Sequence, residues 1–177
     1  MSAVLDALVV RFTAIADDLN ALDAVAGDGD HGSTMLRGLK AAATDPDTAA
    51  KAFRTATGGA SGSLFAQVVA ALIAAENGEN LSDALTKAAE RIGQIGQAQP
   101  GDRTMLDALI PAGRAPGTDP EAAAMAAAAG ADATSTMPAR KGRAKHVEGA
   151  GLGHVDAGAR SVAEILAVFA KVHGASR

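Results

Sequence analysis

The sequence predicts an all-α fold, and three observations support this prediction. Apolar residues recur at spacings of three and four along most of the chain, which places them on one face of a helix. No segment shows the period-two alternation of β-branched and aromatic residues that a half-buried strand needs. Alanine is abundant, and its small side chain loses no rotamer freedom in a helix and lets helices approach closely. Together these features favour a bundle of short helices joined by brief loops.

The predicted helices follow one another along the chain. The first carries apolar residues from Val4 to Leu22 and should end near Ala24. The second runs through Met35 and Leu39 and should stop before Asp45-Pro46, because proline pushes the preceding residue out of helical geometry. The same spacing predicts further helices over about 47–57, 61–77, 81–95 and 120–136, and a last helix with Val162, Ile165, Leu166, Phe169 and Val172 on its apolar face. The Ala-rich stretch 122–129 is predicted to be helical, with disorder as the alternative.

Composition restricts the class of protein. The 177 residues include 16 Lys+Arg and 20 Asp+Glu, a net charge of −4, which suits one soluble domain over residues 1–177. The absence of cysteine excludes disulfides, thiol catalysis and cysteine-based metal centres. Aromatic residues make up 2% of the chain, so stacking on bases and attraction to phosphate backbones are both disfavoured, and we expect no nucleic-acid partner. Neither a signal peptide nor an apolar run of about 20 residues is evident, and we therefore expect a cytoplasmic protein with no membrane partner.

The loop over residues 23–34 carries the strongest chemical signal. It places Asp23, Asp28 and Asp30 within eight positions at a joint between two helices. Carboxylate oxygens without softer donors favour magnesium or calcium. The sequence Gly32-Ser33-Thr34 would begin the next helix, and a helix N-terminus favours anions. Metal ligands beside an anion site are what a magnesium–nucleotide complex requires.

This loop has two other interpretations. Asp28 or Asp30 could simply cap the following helix, which is credible for either residue alone and less so for all three aspartates. A calcium-binding EF-hand loop is excluded. That motif needs acidic or amide side chains at three alternate positions, and after Asp28 and Asp30 the third such position is Gly32.

Three further loops are rich in glycine and polar residues. Residues 57–63 precede an apolar helix and could approach a phosphate or a ring, or form a plain turn with Ser61 as N-cap. Residues 96–105 contain the turn signal Pro100-Gly101. This segment could contribute to a ligand site, or it could be only the end of one helix and the start of the next, with Asp102 as N-cap. The region 135–158 combines a basic run with glycines, which is usually a solvated surface but can also fold over a polyphosphate.

Taken together, the loops resemble one known family, the nucleotide-binding L subunit of dihydroxyacetone kinase, which also forms the C-terminal domain of single-chain ATP-dependent dihydroxyacetone kinases. The resemblance extends nearly end to end and depends on four motifs in the same order. They are Leu22-Asp23 with Gly27-Asp28-Gly29-Asp30-His31-Gly32, Gly58-Gly59-Ala60-Ser61-Gly62, Pro100-Gly101-Asp102-Arg103-Thr104-Met105, and Ala139-Arg140-Lys141-Gly142-Arg143-Ala144 with Gly153-His154-Val155-Asp156.

The resemblance implies a closed barrel of eight antiparallel helices with the nucleotide, ADP or ATP, and two Mg²⁺ ions held in loops at one end. It implies that the three aspartates are the magnesium ligands. It further implies that phosphates contact His31, Gly32, Ser33, Thr34, Ala60 and Ser61, and that Gly96, Met105, Arg143, Asp156 and Ala157 border the nucleotide. Arg143 and Arg140 are candidates for steadying the di- or triphosphate of the nucleotide during phosphoryl transfer.

The implied activity is a dihydroxyacetone kinase of glycerol metabolism that works only with a second, K subunit, which holds the ketose covalently. The phosphoryl donor is either ADP recharged by a phosphotransferase-system phosphocarrier, the M subunit, or exchanging ATP, and the former is favoured. Alternatives are another ketose such as erythrulose, a carrier-bound fatty acid, or a non-enzymatic role as nucleotide-loaded partner of a transcription regulator. Homodimer formation stays open.

The sequence departs from the family's pattern at three positions. Ala150 stands where the family has an arginine, which puts the contact made by that segment in question. Ala157 and Ser63 stand where proline is common, so we expect more mobile loops than in relatives.

Overall fold

A computed structural model describes residues 2–116, 119–141, 143–146, 149 and 151–174. Helices dominate this part of the chain, and it contains no strand. The α-helices are α1 (Ala3–Ala24), α2 (His31–Thr44), α3 (Ala49–Thr57), α4 (Gly59–Glu76), α5 (Leu81–Gly96), α6 (Leu106–Gly113), α7 (Pro120–Ala133) and α8 (Ala157–Gly174). Short 3-10 turns cover Pro46–Thr48, Thr134–Thr136 and Arg143–His146. The prediction of an all-α fold with eight helices is confirmed.

The helices form a closed ring. Each helix packs against the next along the chain, and α8 returns to pack against α1. Short connections make consecutive helices from α1 to α7 antiparallel, and α8 follows a longer connection and packs against α7. The ends of α1, α3, α5 and α7 therefore meet the beginnings of α2, α4, α6 and α8 at one end of the ring, which we call the mouth. The connections at the mouth are residues 25–30, 58, 97–105 and 134–156.

The apolar faces predicted from the sequence point into the ring. Val4, Leu8 and Phe12 of α1 are fully buried, and Ile165 and Leu166 of α8 lie in the same core. Phe12 and Phe53 are the largest fully buried side chains. Truncating such a side chain to alanine typically costs about 3–5 kcal/mol of stability, so these two residues are a main source of the stability of the ring.

The structure differs from the sequence-based prediction in three elements. Helix α6 is absent from the predicted elements, because it has only eight residues and contains Pro111, which breaks the usual helical signal. The predicted loop over 57–63 is wrong, since Gly58 alone separates α3 from α4. The predicted helix over 120–136 is α-helical only to Ala133 and ends in a 3-10 turn.

Helix α4 is long and apolar enough to cross a membrane by length and composition alone, with a mean hydropathy of 1.4 over 18 residues. The core helix of a soluble protein passes the same test, so this is weak evidence for a membrane span. In the ring α4 packs between α3 and α5 and buries Phe65, Val68 and Leu72 in the core.

Candidate functional site: an acidic cluster at the mouth of the barrel

Three aspartates converge at the junction of α1 and α2. One carboxylate oxygen from each of Asp23, Asp28 and Asp30 lies within 4.8 Å of the others. Asp23 is half-buried in the last turn of α1, and Asp28 and Asp30 are exposed. A set of three carboxylate oxygens at this spacing fits a hard divalent cation such as Mg²⁺. The structure therefore brings together the three residues predicted as metal ligands.

Asp23 also shapes the loop that carries the other two aspartates. Its carboxylate accepts hydrogen bonds from the backbone N–H of Gly29 at 2.9 Å and of Asp30 at 3.2 Å. The φ of Gly29 is +75°, a conformation that favours glycine. Asp30 precedes α2 but makes no side-chain capping hydrogen bond, so the capping alternative is not supported for this residue.

The first turn of α2 is fixed against α1. Gly32 is buried, and a Cβ atom there would collide with the backbone carbonyl of Ala16. Ser33 donates its N–H to Asn20 Oδ1 at 3.0 Å, and Asn20 Nδ2 donates to Ser33 Oγ at 2.9 Å. The N–H groups at the start of a helix lack intrahelical acceptors and attract anions. Asn20 is not among the predicted site residues, because a single amide on a helix gives no sequence signal of its partner.

His31 links three helices at the mouth. Its Nε2 lies 2.8 Å from Ser161 Oγ on α8, and its ring packs against Phe65 on α4 with centroids 5.6 Å apart. Burial lowers the pKa of His31, and Asp23, Asp30 and a hydrogen bond to the Ala157 backbone oppose this shift. His31 thus lies beside the aspartate cluster and the start of α8 at once.

A small cleft continues from His31 between α2, α3 and α4. Thr34, Thr57 and Ser61 line it together with Met35, Phe53, Gly62 and Phe65. Gly62 leaves no room for a side chain, because a Cβ atom would meet Thr57 Oγ1. Ser61 lies in the first turn of α4 and is not its N-cap, a position that Gly58 occupies. Of the predicted phosphate residues, His31, Thr34 and Ser61 therefore line one cleft, and Gly32, Ser33 and Ala60 do not line it.

The loop 97–105 forms a second, open cleft at the mouth. Gln97, Ala98, Gln99, Asp102, Arg140 and Lys141 line it. Gly96 is the last residue of α5, and Met105 is buried directly before α6. Asp102 accepts from the N–H of Gln99 at 2.9 Å, so the alternative of Asp102 as N-cap of α6 is wrong. Instead, Asp107 accepts from the N–H groups of Gly101 and Thr104, at 2.5 and 2.8 Å.

Asp156 lies where α8 begins. Its carboxylate accepts from the N–H of Ala159 at 2.8 Å, and Ala157 is the buried first residue of α8. Burial raises the pKa of Asp156 to about 6, against the opposing effects of the Ala159 hydrogen bond and of Arg103. Nη1 of Arg103 lies 3.9 Å from Asp156 Oδ1. Arg103 belongs to the third motif, but sequence reasoning assigns it no individual role.

Two predicted features cannot be placed. The backbone of Arg143 lies in the 3-10 turn Arg143–His146, but its side chain lies outside the described part of the structure. Ala150 also lies outside the described residues. The nucleotide contact expected from Arg143 stays a prediction.

The ring of helices and the acidic cluster at its mouth define a class of all-α domains with three converging carboxylates next to a helix N-terminus. The chain belongs to the DAK2 domain family, whose model matches residues 25–171. This match confirms the family that the four motifs indicated.

Individual relatives are kinases by name. The chain is 36% identical to L-erythrulose kinase of Pectobacterium atrosepticum, over 84% of this chain and 30% of the relative. It is 33% identical to human triokinase/FMN cyclase, over 97% of this chain and 35% of the relative.

Solved structures show the same fold. The dihydroxyacetone kinase of C. freundii in its native form has a TM-score of 0.73 and 30% identity, over 96% of this chain and 34% of that chain. Its complex with AMP-PNP and Mg²⁺ has a TM-score of 0.73 and 29% identity, over 96% of this chain and 33% of that chain. The chain spans about a third of the length of these relatives.

Proposed function

We propose that the chain is the magnesium–nucleotide-binding, phosphoryl-donating subunit of a ketose kinase of the dihydroxyacetone kinase type. The observation that carries this proposal is the convergence of the carboxylates of Asp23, Asp28 and Asp30 beside the N-terminus of α2. The carboxylates suit a divalent cation, and the helix N-terminus suits phosphate. Similarity to a dihydroxyacetone kinase whose structure was solved with AMP-PNP and Mg²⁺ supports this assignment.

The residues at the mouth would divide the work of phosphoryl transfer. The three aspartates would hold two Mg²⁺ ions, which when bound neutralise charge on the phosphate oxygens. Ser33 and Thr34 lie in the first turn of α2, where their side-chain hydroxyl groups would orient the phosphates. His31 is held by Ser161 and would fix the position of that turn relative to α8. Positioning of this kind is the main contribution of a protein to phosphoryl transfer.

The acceptor would be bound by a separate K subunit. The relatives are about three times as long as the part of them that this chain matches, so a large part of each has no counterpart in these 177 residues. Dihydroxyacetone is the acceptor we propose, and the similarity to L-erythrulose kinase makes erythrulose the second candidate. For the donor, we propose a tightly held ADP that a phosphotransferase-system phosphocarrier recharges, with exchanging ATP as the alternative.

Replacement of one aspartate tests the cation site. We expect Asp30→Ala to abolish magnesium-dependent ADP binding in a calorimetric titration. The two carboxylates that remain offer fewer oxygen ligands than three and therefore hold Mg²⁺ poorly. Circular dichroism should show unchanged helical content, since Asp30 is exposed and makes no capping hydrogen bond.

The matched control is Asp17→Ala, which removes an aspartate of α1 outside the cluster. This variant should bind ADP like the wild type. Unchanged ADP affinity in Asp30→Ala would contradict the role proposed for the cluster.

A further inference from the structure

Arg103 is a buried cation that joins two connections at the mouth. Its side chain is 3% exposed and lies between the loop 97–105 and residues 151–156. Nη2 donates to the backbone oxygen of His154 at 2.9 Å, and Nη1 lies 3.9 Å from Asp156 Oδ1. One guanidinium group therefore contacts two positions in the segment that leads into α8.

This arrangement costs stability in three ways. The φ of Arg103 is +61°, which is unfavourable for a residue with a side chain. A charged group is removed from water and has its carboxylate partner only at 3.9 Å. Its Nε is buried without a hydrogen-bond acceptor in the described part of the chain. Costs that coincide at one residue are typical of functional sites, where the surrounding structure holds a strained geometry in place.

Gly151 shows how closely the segment approaches the arginine. Its φ is +85°, and a Cβ atom there would overlap the Arg103 guanidinium. Two hydrogen bonds tie the same segment to the 3-10 turn that follows α7. Gly153 N donates to the Ser135 oxygen, and Asp156 N donates to Thr134 Oγ1, each at 2.8 Å.

The segment held by Arg103 lies next to the candidate site. Residues 151–156 run directly into α8, where Gly158 in the first turn lies close to Met105 and Ser161, about one turn further on, contacts His31. Met105 is a predicted nucleotide contact, and His31 is a predicted phosphate contact. Residues 151–156 therefore adjoin the part of α8 that lies next to both of these predicted contacts.

From this geometry we infer that Arg103 is a positioning residue, which holds residues 151–156 as a fixed wall of the nucleotide site and so slows the release of bound nucleotide. The effect on release rests on the proposed function, whereas the effect on the segment does not. Arg103 acts through the His154 backbone and Asp156, and it is not assigned a contact with the reacting atoms.

Two variants disturb the same contact from opposite sides. Arg103→Met removes the guanidinium but keeps a long apolar side chain in the buried space. Gly151→Ala keeps Arg103 but inserts a Cβ atom against it, in a segment outside the helical core. Arg103→Lys keeps the charge and should give intermediate values, because an ammonium group lacks the planar fork of arginine.

The control is Arg160→Met. It removes another Arg–Asp ion pair at the mouth, between Arg160 and Asp132 at 2.8 Å, which is solvent-exposed and outside the candidate site. Exposed pairs of this kind contribute little, so this variant should behave like the wild type in both measurements below.

The first measurement is amide hydrogen exchange of residues 151–156 in nucleotide-free protein. We expect exchange about tenfold faster in Arg103→Met and Gly151→Ala than in the wild type, because local opening becomes easier. Exchange rates equal to the wild type would overturn the inference.

The second measurement is the dissociation rate of a fluorescent ADP analogue in the presence of Mg²⁺. We expect about tenfold faster release from Arg103→Met, with Arg103→Lys in between. Faster exchange with an unchanged release rate would overturn the assigned effect on nucleotide. Absence of nucleotide binding by the wild type would instead contradict the proposed function, and the exchange rates would still decide the role of Arg103 in holding the segment.

Discussion

At the scale of single residues, the mouth contains two kinds of side chain. The role of some depends on their neighbours in the sequence, and the role of others depends on partners far away in the sequence. The aspartate cluster was predictable, because Asp23, Asp28 and Asp30 lie within eight positions and one loop brings them together. The roles of Asn20 and Arg103 were not predictable. Asn20 is bonded to Ser33, 13 residues away, and Arg103 contacts His154, 51 residues away, so neither partner can be identified from spacing.

Asp156 gives a pH-dependent stability that can be measured. Its pKa is about 6 in the folded protein, against 3.8 for an aspartate free of neighbours in water, so the folded state binds this proton more tightly. The stability that it contributes is therefore fully present below pH 3.8 and is lost as the pH rises through 6. Between pH 7 and pH 5 we expect the free energy of unfolding of the wild type to rise by about 1 kcal/mol relative to Asp156→Asn.

Urea unfolding of nucleotide-free wild type and Asp156→Asn at pH 7 and pH 5 provides this comparison. The other titrating groups are common to both proteins, so their contributions largely cancel in the difference. A difference in stability that is the same at both pH values would show that burial does not raise the pKa of Asp156.

At the scale of helices, apolar periodicity predicted the elements that have a long buried face. Helices α1, α2, α5 and α8 each carry several buried residues at helical spacing. The predicted limits of α1, α2 and α5 agree with the structure within a few residues, and the apolar residues predicted for the last helix all lie in α8. Helix α6 escaped prediction because eight residues with an internal proline are too few to show a period. The glycines of residues 57–63 favour a loop in the sequence, yet packing makes this stretch helical from Gly59.

The contact between α1 and α2 depends on Gly32. We expect Gly32→Ala to lower the free energy of unfolding by about 1–3 kcal/mol, because the added Cβ would push the first turn of α2 away from the carbonyl of Ala16. Urea denaturation followed by circular dichroism measures this change.

Gly96→Ala is the matched control for stability. Its added Cβ would have its nearest neighbour, Leu64 Cδ1, at 3.8 Å, which is ordinary van der Waals contact. Alanine is the better helix former, so this variant should be at least as stable as the wild type. Equal stability of Gly32→Ala and Gly96→Ala would argue against close packing of α1 and α2 as the feature that fixes the mouth.

At the scale of the whole molecule, the antiparallel ring determines where the chemistry lies. Alternating helix direction brings all four motif-bearing connections to one end, although they are spread from residue 23 to residue 158. The sequence showed the motifs and, through the family resemblance, the barrel. The hydrogen bonds that join those connections emerge only from the three-dimensional structure, since they link residues that are far apart in the sequence.

The central claim, that the mouth binds a magnesium–nucleotide complex, is tested most directly on the purified protein. Denaturation followed by chromatography shows whether ADP is retained, and the refolded, nucleotide-free protein is then titrated with ADP and with ATP, each with Mg²⁺ and with EDTA. We expect one nucleotide per chain, bound with Mg²⁺ and not with EDTA. Retained ADP in near-stoichiometric amount supports recharging by a phosphocarrier, and an empty site that binds ATP reversibly supports ATP as donor. A correctly folded protein that retains no nucleotide and binds neither ADP nor ATP in the presence of Mg²⁺ would contradict the proposed function.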